Sequence, residues 1–160
     1  MGSMARIAAV YALTVALAGC GPASHDPDQL ELVAFTMVNN YRAENQVAEL
    51  KWAEDMSDAA HRHCQDMINR DFFDHTNPDG LDVAGRLDNL GIDWIALGEN
   101  IARTTTRTDE PAKAALNAWK DSPAHQANMV DAAFEESGVG CAIGDGYVYF
   151  TQIFIYREEP

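Results

Sequence analysis

The segment Ser137 to Tyr156, "SGVGCAIGDGYVYFTQIFIY", decides the class of fold. Val139, Cys141 and Ile143 alternate with their neighbours before "GDG", and Tyr147, Tyr149, Thr151, Ile153 and Ile155 alternate after it. A period of two marks strands, and the glycine-containing turn between them predicts an antiparallel hairpin. Upstream the period changes. Leu30, Val33, Ala34, Met37, Val38 and Tyr41 predict a helix over 28–46, and Met56, Ala60, His63, Cys64, Met67 and Ile68 predict a second over 54–69. "LDVAGRLDNL" predicts a short third helix stopped by Gly91. Asp109 to Trp119 predicts a fourth, with Asp109 as its N-cap and Pro111 tolerated in the first turn. Helices first and a hairpin last define an α+β domain with helices covering an antiparallel sheet.

Composition sets the outer bounds. A chain of 160 residues with 47% hydrophobic and 22% charged residues fits one compact core rather than a disordered or repeat protein. The formal charge of -14 comes from 25 acids against 11 bases, spread along the chain. Phosphate binding along a nucleic acid needs a basic footprint, so nucleic acid is not an expected partner. An even acidic surface serves solubility and raises the local concentration of cations. A monomer is expected.

The first residues read as an export signal. Arg6 is the lone charge before the apolar run Ile7 to Ala18, which has the length of a signal core and is too short to span a bilayer comfortably. The run ends in Leu17, Ala18, Gly19 and Cys20, which has the form of a bacterial lipobox. The expectation is therefore a signal peptide over 1–19, a lipidated Cys20, a tether over 20–28 and one domain over 29–160. Arg6 stands where N-myristoylation requires Ser or Thr, so that modification is excluded on pattern. Cys64 and Cys141 remain as an even pair in a compartment where disulfides persist, and both fall on apolar positions. A disulfide between them is expected and would add roughly 4 kcal/mol in the chain-entropy model. Two buried free thiols are the alternative.

One acid stands out. In "ALGENIARTTT", Ala96 to Thr106, Glu99 lies among Ile95, Leu97 and Ile101, which read as buried. Burying an unpaired charge costs several kcal/mol, so Glu99 needs partners, and the histidines are the first place to look. His61 and His63 are two apart on a helix and point to nearly opposite sides, so they cannot share a metal, and His63 reads as a core residue. "HTNPDG" imitates a calcium loop through Asp79 or Asp82, but His75 stands in the first ligand position and Arg86 in that of the bidentate glutamate. Ser122 and His125 are three apart, yet no oxyanion hole or nucleophile elbow is legible around them.

Several motifs recur in a fixed order: "NNYRAENQ" (Asn39 to Gln46), "LKW", "FFDHTNPDG", "LGENIA", "AWKDSPAHQANM", "SGVGCAI" and "YFTQIF". The series resembles the CAP superfamily, the cysteine-rich secretory, antigen-5 and pathogenesis-related proteins, in its shorter bacterial form, over residues 30–156. The resemblance implies an α-β-α sandwich, secreted or surface-held, with a cleft where histidines and glutamates gather and sometimes hold a divalent metal. His75 matches the first cleft histidine and Glu99 the first cleft glutamate. Ser122 stands where animal and plant members have a second glutamate, and Tyr149 where they have a second histidine, so the full tetrad is absent. His125 matches the histidine of a bacterial "SPxHxxN" pattern.

The expected site is therefore His75, His125 and Glu99, as metal ligands or as catalytic candidates, with Ser122 and Tyr149 in the cleft. Two neutral imidazoles can hold zinc with water completing the shell, while a carboxylate ligates, orients a ligand or takes a proton from that water. The metal-free alternative is a hydrogen-bonded cluster bracing loops around Glu99. Three functions are compatible with this site. In order of expectation they are a surface binding protein for a lipid, sterol or envelope component, a metal-assisted hydrolase of esters or phosphodiesters, and a scaffold recognised by another envelope protein.

Overall fold

The computed structural model describes residues 25–158. The expected signal, Cys20 and most of the tether lie outside the described residues. Helix α1, Pro27–Glu44, starts inside the expected tether, with Asp26 as N-cap accepting from the amide of Asp28 and Pro27 in the first turn. It is followed by β1 (Lys51–Trp52), α2 (Glu54–Asn69), α3 (Val83–Asn89), β2 (Ala96–Thr105), α4 (Pro111–Asp121), α5 (Pro123–Val130), β3 (Glu136–Gly144) and β4 (Tyr147–Tyr156).

The strands form one sheet in the order β1-β3-β4-β2. The expected hairpin is present as β3 and β4, with Gly140 opposite Thr151. Its turn places Asp145 at φ 52° and Gly146 at φ 80°, the left-handed pair that suits a two-residue hairpin loop. One correction follows. Strand β1 joins β3 in parallel, so the sheet is mixed rather than wholly antiparallel. The hairpin also buries both of its faces, while Ile143 at the sheet's end is 39% exposed.

Side chains alternate across the sheet, which sorts the core into two layers. One face carries Val139, Cys141, Val148, Phe150 and Phe154 against α1, α4 and α5, with Trp119 fully buried among them. The other carries Ile153 and Ile155 against Met56, Ala59 and Ala60 of α2 and Leu87 of α3. The molecule is the α-β-α sandwich expected.

This sorting also overturns the disulfide. Cys64 of α2 packs with Ala142 and Tyr149 on one face, whereas Cys141 belongs to the layer on the opposite face, and the sheet lies between them. Both are free thiols. The Cys64 thiol contacts the Thr151 hydroxyl at 3.2 Å, and burial pushes its pKa up to about 12.

Helix α2 lies directly on β3 because that strand has no side chains there. A Cβ on Gly140 would sit 2.0 Å from the His61 amide nitrogen, and one on Gly138 would sit 2.1 Å from that of Ser57. The obstacles are helix backbone, which cannot rotate aside. Gly140→Ala should therefore cost about 3 kcal/mol or more, the upper range for overpacking. Urea denaturation measures this, and an unchanged midpoint would show that α2 can lift off the strand without loss.

Candidate functional site

Glu99 sits in β2 with its side chain 2% exposed. Strand alternation sends Glu99 to the α2 and α3 face, and Gly98 and Asn100 to the other. Each residue of "GEN" has its own role. A Cβ on Gly98 would stand 2.9 Å from the Phe134 ring and 3.2 Å from Asn128 Oδ1, so the position must be bare. Asn100, fully buried, donates to the carbonyl of His125 at 3.0 Å. Asn128 donates both to the Glu99 carbonyl at 3.1 Å and to Asn100 Oδ1 at 2.9 Å. These bonds lock α5 to the edge of β2.

The other wall is the connection from α2 to α3. Arg70 grips Asp79 with both terminal nitrogens, at 2.6 and 3.0 Å. Asn77 Oδ1 accepts from the amides of Asp79 and Leu81 at 3.1 and 3.0 Å, closing the turn at Gly80, whose φ is 81°. Asp82 caps α3 by accepting from the Gly85 amide at 2.9 Å. Asp79 and Asp82, the sequence's calcium candidates, are thus engaged in holding the loop. His75 is carried on this braced segment.

The two walls meet at the carboxylate. Glu99 Oε1 lies 2.8 Å from His75 Nδ1, and Glu99 Oε2 accepts from Arg86 Nη2. Arg86 also donates Nη1 to the His75 carbonyl at 2.7 Å, so it fixes both the acid and the loop that covers it. The His75 side chain remains 46% exposed. Its ring centroid lies 5.8 Å from that of His125, with a 49° tilt between the planes.

The environments of the two histidines differ. The hydrogen bond to Glu99 raises the His75 pKa against the opposing effect of burial. Burial lowers that of His125, and the neighbouring His75 lowers it further.

Among the expected site residues, His75, His125 and Glu99 are brought together, while Tyr149 and Ser122 are not. Tyr149, opposite Arg103 in the β2–β4 register, packs beside Phe73, and Ser122 sits at the junction of α4 and α5 with no hydrogen bond to His125. His63 is a core residue with Nε2 3.1 Å from the Asp74 carbonyl, and His61 instead meets Glu31 at 3.2 Å. The sequence reading missed Arg86. A buried acid needs a cation as well as a histidine, and the arginine on the short helix before it was the available signal.

Among the described residues no group of three or more His, Cys, Asp or Glu is arranged to hold a metal. Both Glu99 oxygens already have partners. The donors that remain are His75 Nε2 and the His125 imidazole, and a histidine whose other nitrogen is held by a carboxylate is the usual form of a metal-binding imidazole. Those two imidazoles, with Glu99 behind His75, are what the site would offer a metal.

An α-β-α sandwich with a histidine and glutamate cluster at one sheet edge defines the class of protein. A family model described as the cysteine-rich secretory protein family, CAP, matches residues 35–154, and the chain belongs to that family. It is 30% identical over 134 residues to the uncharacterized protein YkwD of Bacillus subtilis (strain 168), covering 84% of this chain and 49% of that protein. It is 29% identical over 121 residues to the uncharacterized membrane protein YlbC of the same organism, covering 76% of this chain and 33% of that one. The chain thus spans a third to a half of these curated relatives. A crystal structure of an extracellular protein containing an SCP domain from Bacillus anthracis str. Ames superposes with a TM-score of 0.72 at 27% identity, over 82% of this chain and 41% of the other.

Removing Arg86 leaves a buried carboxylate without its cation. Arg86→Met should destabilise the fold by about 3 to 5 kcal/mol, as for other broken buried pairs, and a loss below about 1 kcal/mol in urea denaturation would show that Glu99 is held otherwise.

The raised His75 pKa has a stability consequence. A histidine that binds its proton more tightly when folded stabilises the fold fully below its unfolded value of about 6.5, and that contribution is lost as pH rises through the folded value. The stability gap between wild type and His75→Gln should therefore be largest near pH 6 and shrink toward pH 9. A gap that is constant across this range would show that His75 titrates alike in the folded and unfolded chains.

Proposed function

We propose that this chain is an exported protein of the cell envelope, tethered through a lipidated Cys20, whose His75 and His125 cleft binds a lipid, sterol or wall component. Export is supported by the Leu17 to Cys20 pattern and by the extracellular and membrane proteins that the chain resembles. Binding is carried by one observation: the buried Glu99 is saturated by Arg86 and His75, which fixes a half-exposed imidazole at the protein surface beside His125. Such preorganisation lowers the ordering cost of taking a ligand.

A second reading, metal-assisted hydrolysis of esters or phosphodiesters, is favoured by the Glu99-held His75 beside His125. A divalent metal such as zinc bound there would supply an activated water. Ligation needs neutral imidazoles, so zinc affinity should fall as pH drops through the raised His75 value, starting above the free-histidine value of about 6.5.

Mass spectrometry of protein extracted gently from its membrane fraction tests the first reading. A single co-purifying class of envelope molecule, lost in His75→Ala, is expected, and ligand-free protein in both samples would overturn it. Zinc calorimetry at pH 7.5 and 5.5 tests the second, and equal heats for wild type and His75→Ala at pH 7.5 would sink it.

A further inference from the structure

We propose that the groove between α2 and α3 binds a neutral, sugar-sized ring through its hydroxyl groups. Arg62, His63 and Asp66 recur at helical spacing and form the wall from α2, while Arg86 and Asn89 of α3, with Leu90 at its C-cap, form the other. The cavity holds about 310 Å³, the lower end of the range for small-molecule sites. Neither His75 nor His125 lines it, so the site is separate from that pair and goes beyond the binding reading given for it.

Two buried atoms in these walls have unmet hydrogen-bonding capacity. His63 is 1% exposed, and Arg86 spends its terminal nitrogens on the Glu99 carboxylate and the His75 carbonyl. Among the described residues neither His63 Nδ1 nor Arg86 Nε has a partner. A buried donor or acceptor left unmade costs the whole desolvation of that group, so two such atoms lining one cavity call for a group that meets both. Their roles follow from the other contacts. His63 Nε2 lies 3.1 Å from the Asp74 carbonyl, which can only accept, so Nε2 carries the proton and Nδ1 offers a lone pair. Burial lowers the His63 pKa and so favours this neutral ring. Arg86 Nε offers an N–H at any physiological pH.

One acceptor and one donor in the same walls select a ligand by exclusion. A carboxylate or phosphate only accepts, so it would serve Arg86 Nε while setting its own lone pairs against that of His63, and the charge of -14 repels it at long range. An ammonium only donates, so it would serve His63 while facing a guanidinium. A hydroxyl donates and accepts at a single atom. Toward solvent the exposed Arg62 and Asn89 and the partly exposed Asp66 add further donors and acceptors, which suits several hydroxyls rather than one. Leu90, 41% exposed, and Leu81 supply apolar surface for the C–H face of a ring. A hydroxyl at Arg86 Nε leaves the bonds from Nη1 and Nη2 intact, so the ligand adds to the clamp on Glu99 without competing for it.

Nitrogen-15 NMR reads both atoms directly. The labelled protein would be titrated separately with methyl glucoside, acetamide, acetate and methylammonium, following the unprotonated Nδ1 of His63 and the Nε–H of Arg86. Methyl glucoside should shift both resonances saturably, with Nδ1 moving upfield as its lone pair takes a hydrogen bond, and the two charged probes should move neither. His63→Phe keeps an aromatic ring and removes the acceptor, so the shift of Arg86 Nε–H should then require about tenfold more sugar, the loss of one hydrogen bond. Leu90→Trp changes an exposed wall residue and narrows the groove, and it should weaken binding without lowering the melting temperature.

Resonances that ignore the sugar, as they would if water alone met these two atoms, would overturn the proposal. So would acetate or acetamide binding as tightly as the sugar, since the selection for hydroxyl would then fail. Sugar affinity unchanged in both His63→Phe and Leu90→Trp would place the ligand elsewhere and overturn it as well. His75→Ala should leave the response of His63 in place, which keeps this test apart from that of the His75 and His125 pair.

Discussion

A helix backbone pressed onto a strand with no side chains in between is the constraint on which the rest of the molecule depends. Gly138 and Gly140 let α2 settle against β3 at a distance that any Cβ would forbid. Ser57 uses that closeness to donate its hydroxyl to the Val139 carbonyl at 2.8 Å. The last turn of α2 then launches the loop that Arg70 and Asp79 brace, and this loop carries His75 to Glu99.

The opposite layer is held by polar contacts in an apolar setting. Arg42, 1% exposed, spends its guanidinium on the carbonyls of Ala48, Met129, Asp131 and Phe134. Burial lowers its pKa, but the carbonyls satisfy its donors and tie α1 to the segment that follows α5. Asn39 exchanges two hydrogen bonds with the backbone of Leu50, as a neighbouring strand would. With Asn100 and Asn128 clamping α5 to β2, these side chains explain why "NNYR", "GEN" and "HQAN" appear as motifs. Each supplies backbone partners that regular secondary structure leaves unmade.

What could be read from sequence followed period and chemistry. Helix α2 matches its expected span, and the hairpin announced itself through alternation and a "DG" turn. Strand β1 is too short to carry a period, and α5 begins at a Ser-Pro junction that reads as the end of a helix. The N-cap of α4 is Glu110 rather than Asp109, a one-residue slip of the kind helix ends allow. The disulfide failed for a physical reason: Cys141 and Cys64 are both apolar positions, but a sheet buried on both faces has two cores, and alternation alone does not say which one a residue joins. Glu99 was legible as a buried acid needing a partner. Arg86 was not, because its reach depends on where α3 lands.

The pairing at Glu99 also decides what the cleft can offer. A carboxylate shared between a guanidinium and an imidazole has its charge balanced by Arg86 and its geometry fixed at both oxygens, which leaves it little freedom to act as a base. Its effect is exerted through His75, whose pKa its hydrogen bond raises, while burial and the neighbouring ring lower that of His125. Two imidazoles with centroids 5.8 Å apart thus stand in opposite electrostatic conditions, one favouring the charged form and the other the neutral form. The chain buries an acid at position 99 and holds a histidine at the surface, so the side chain offered to solvent is the imidazole rather than the carboxylate.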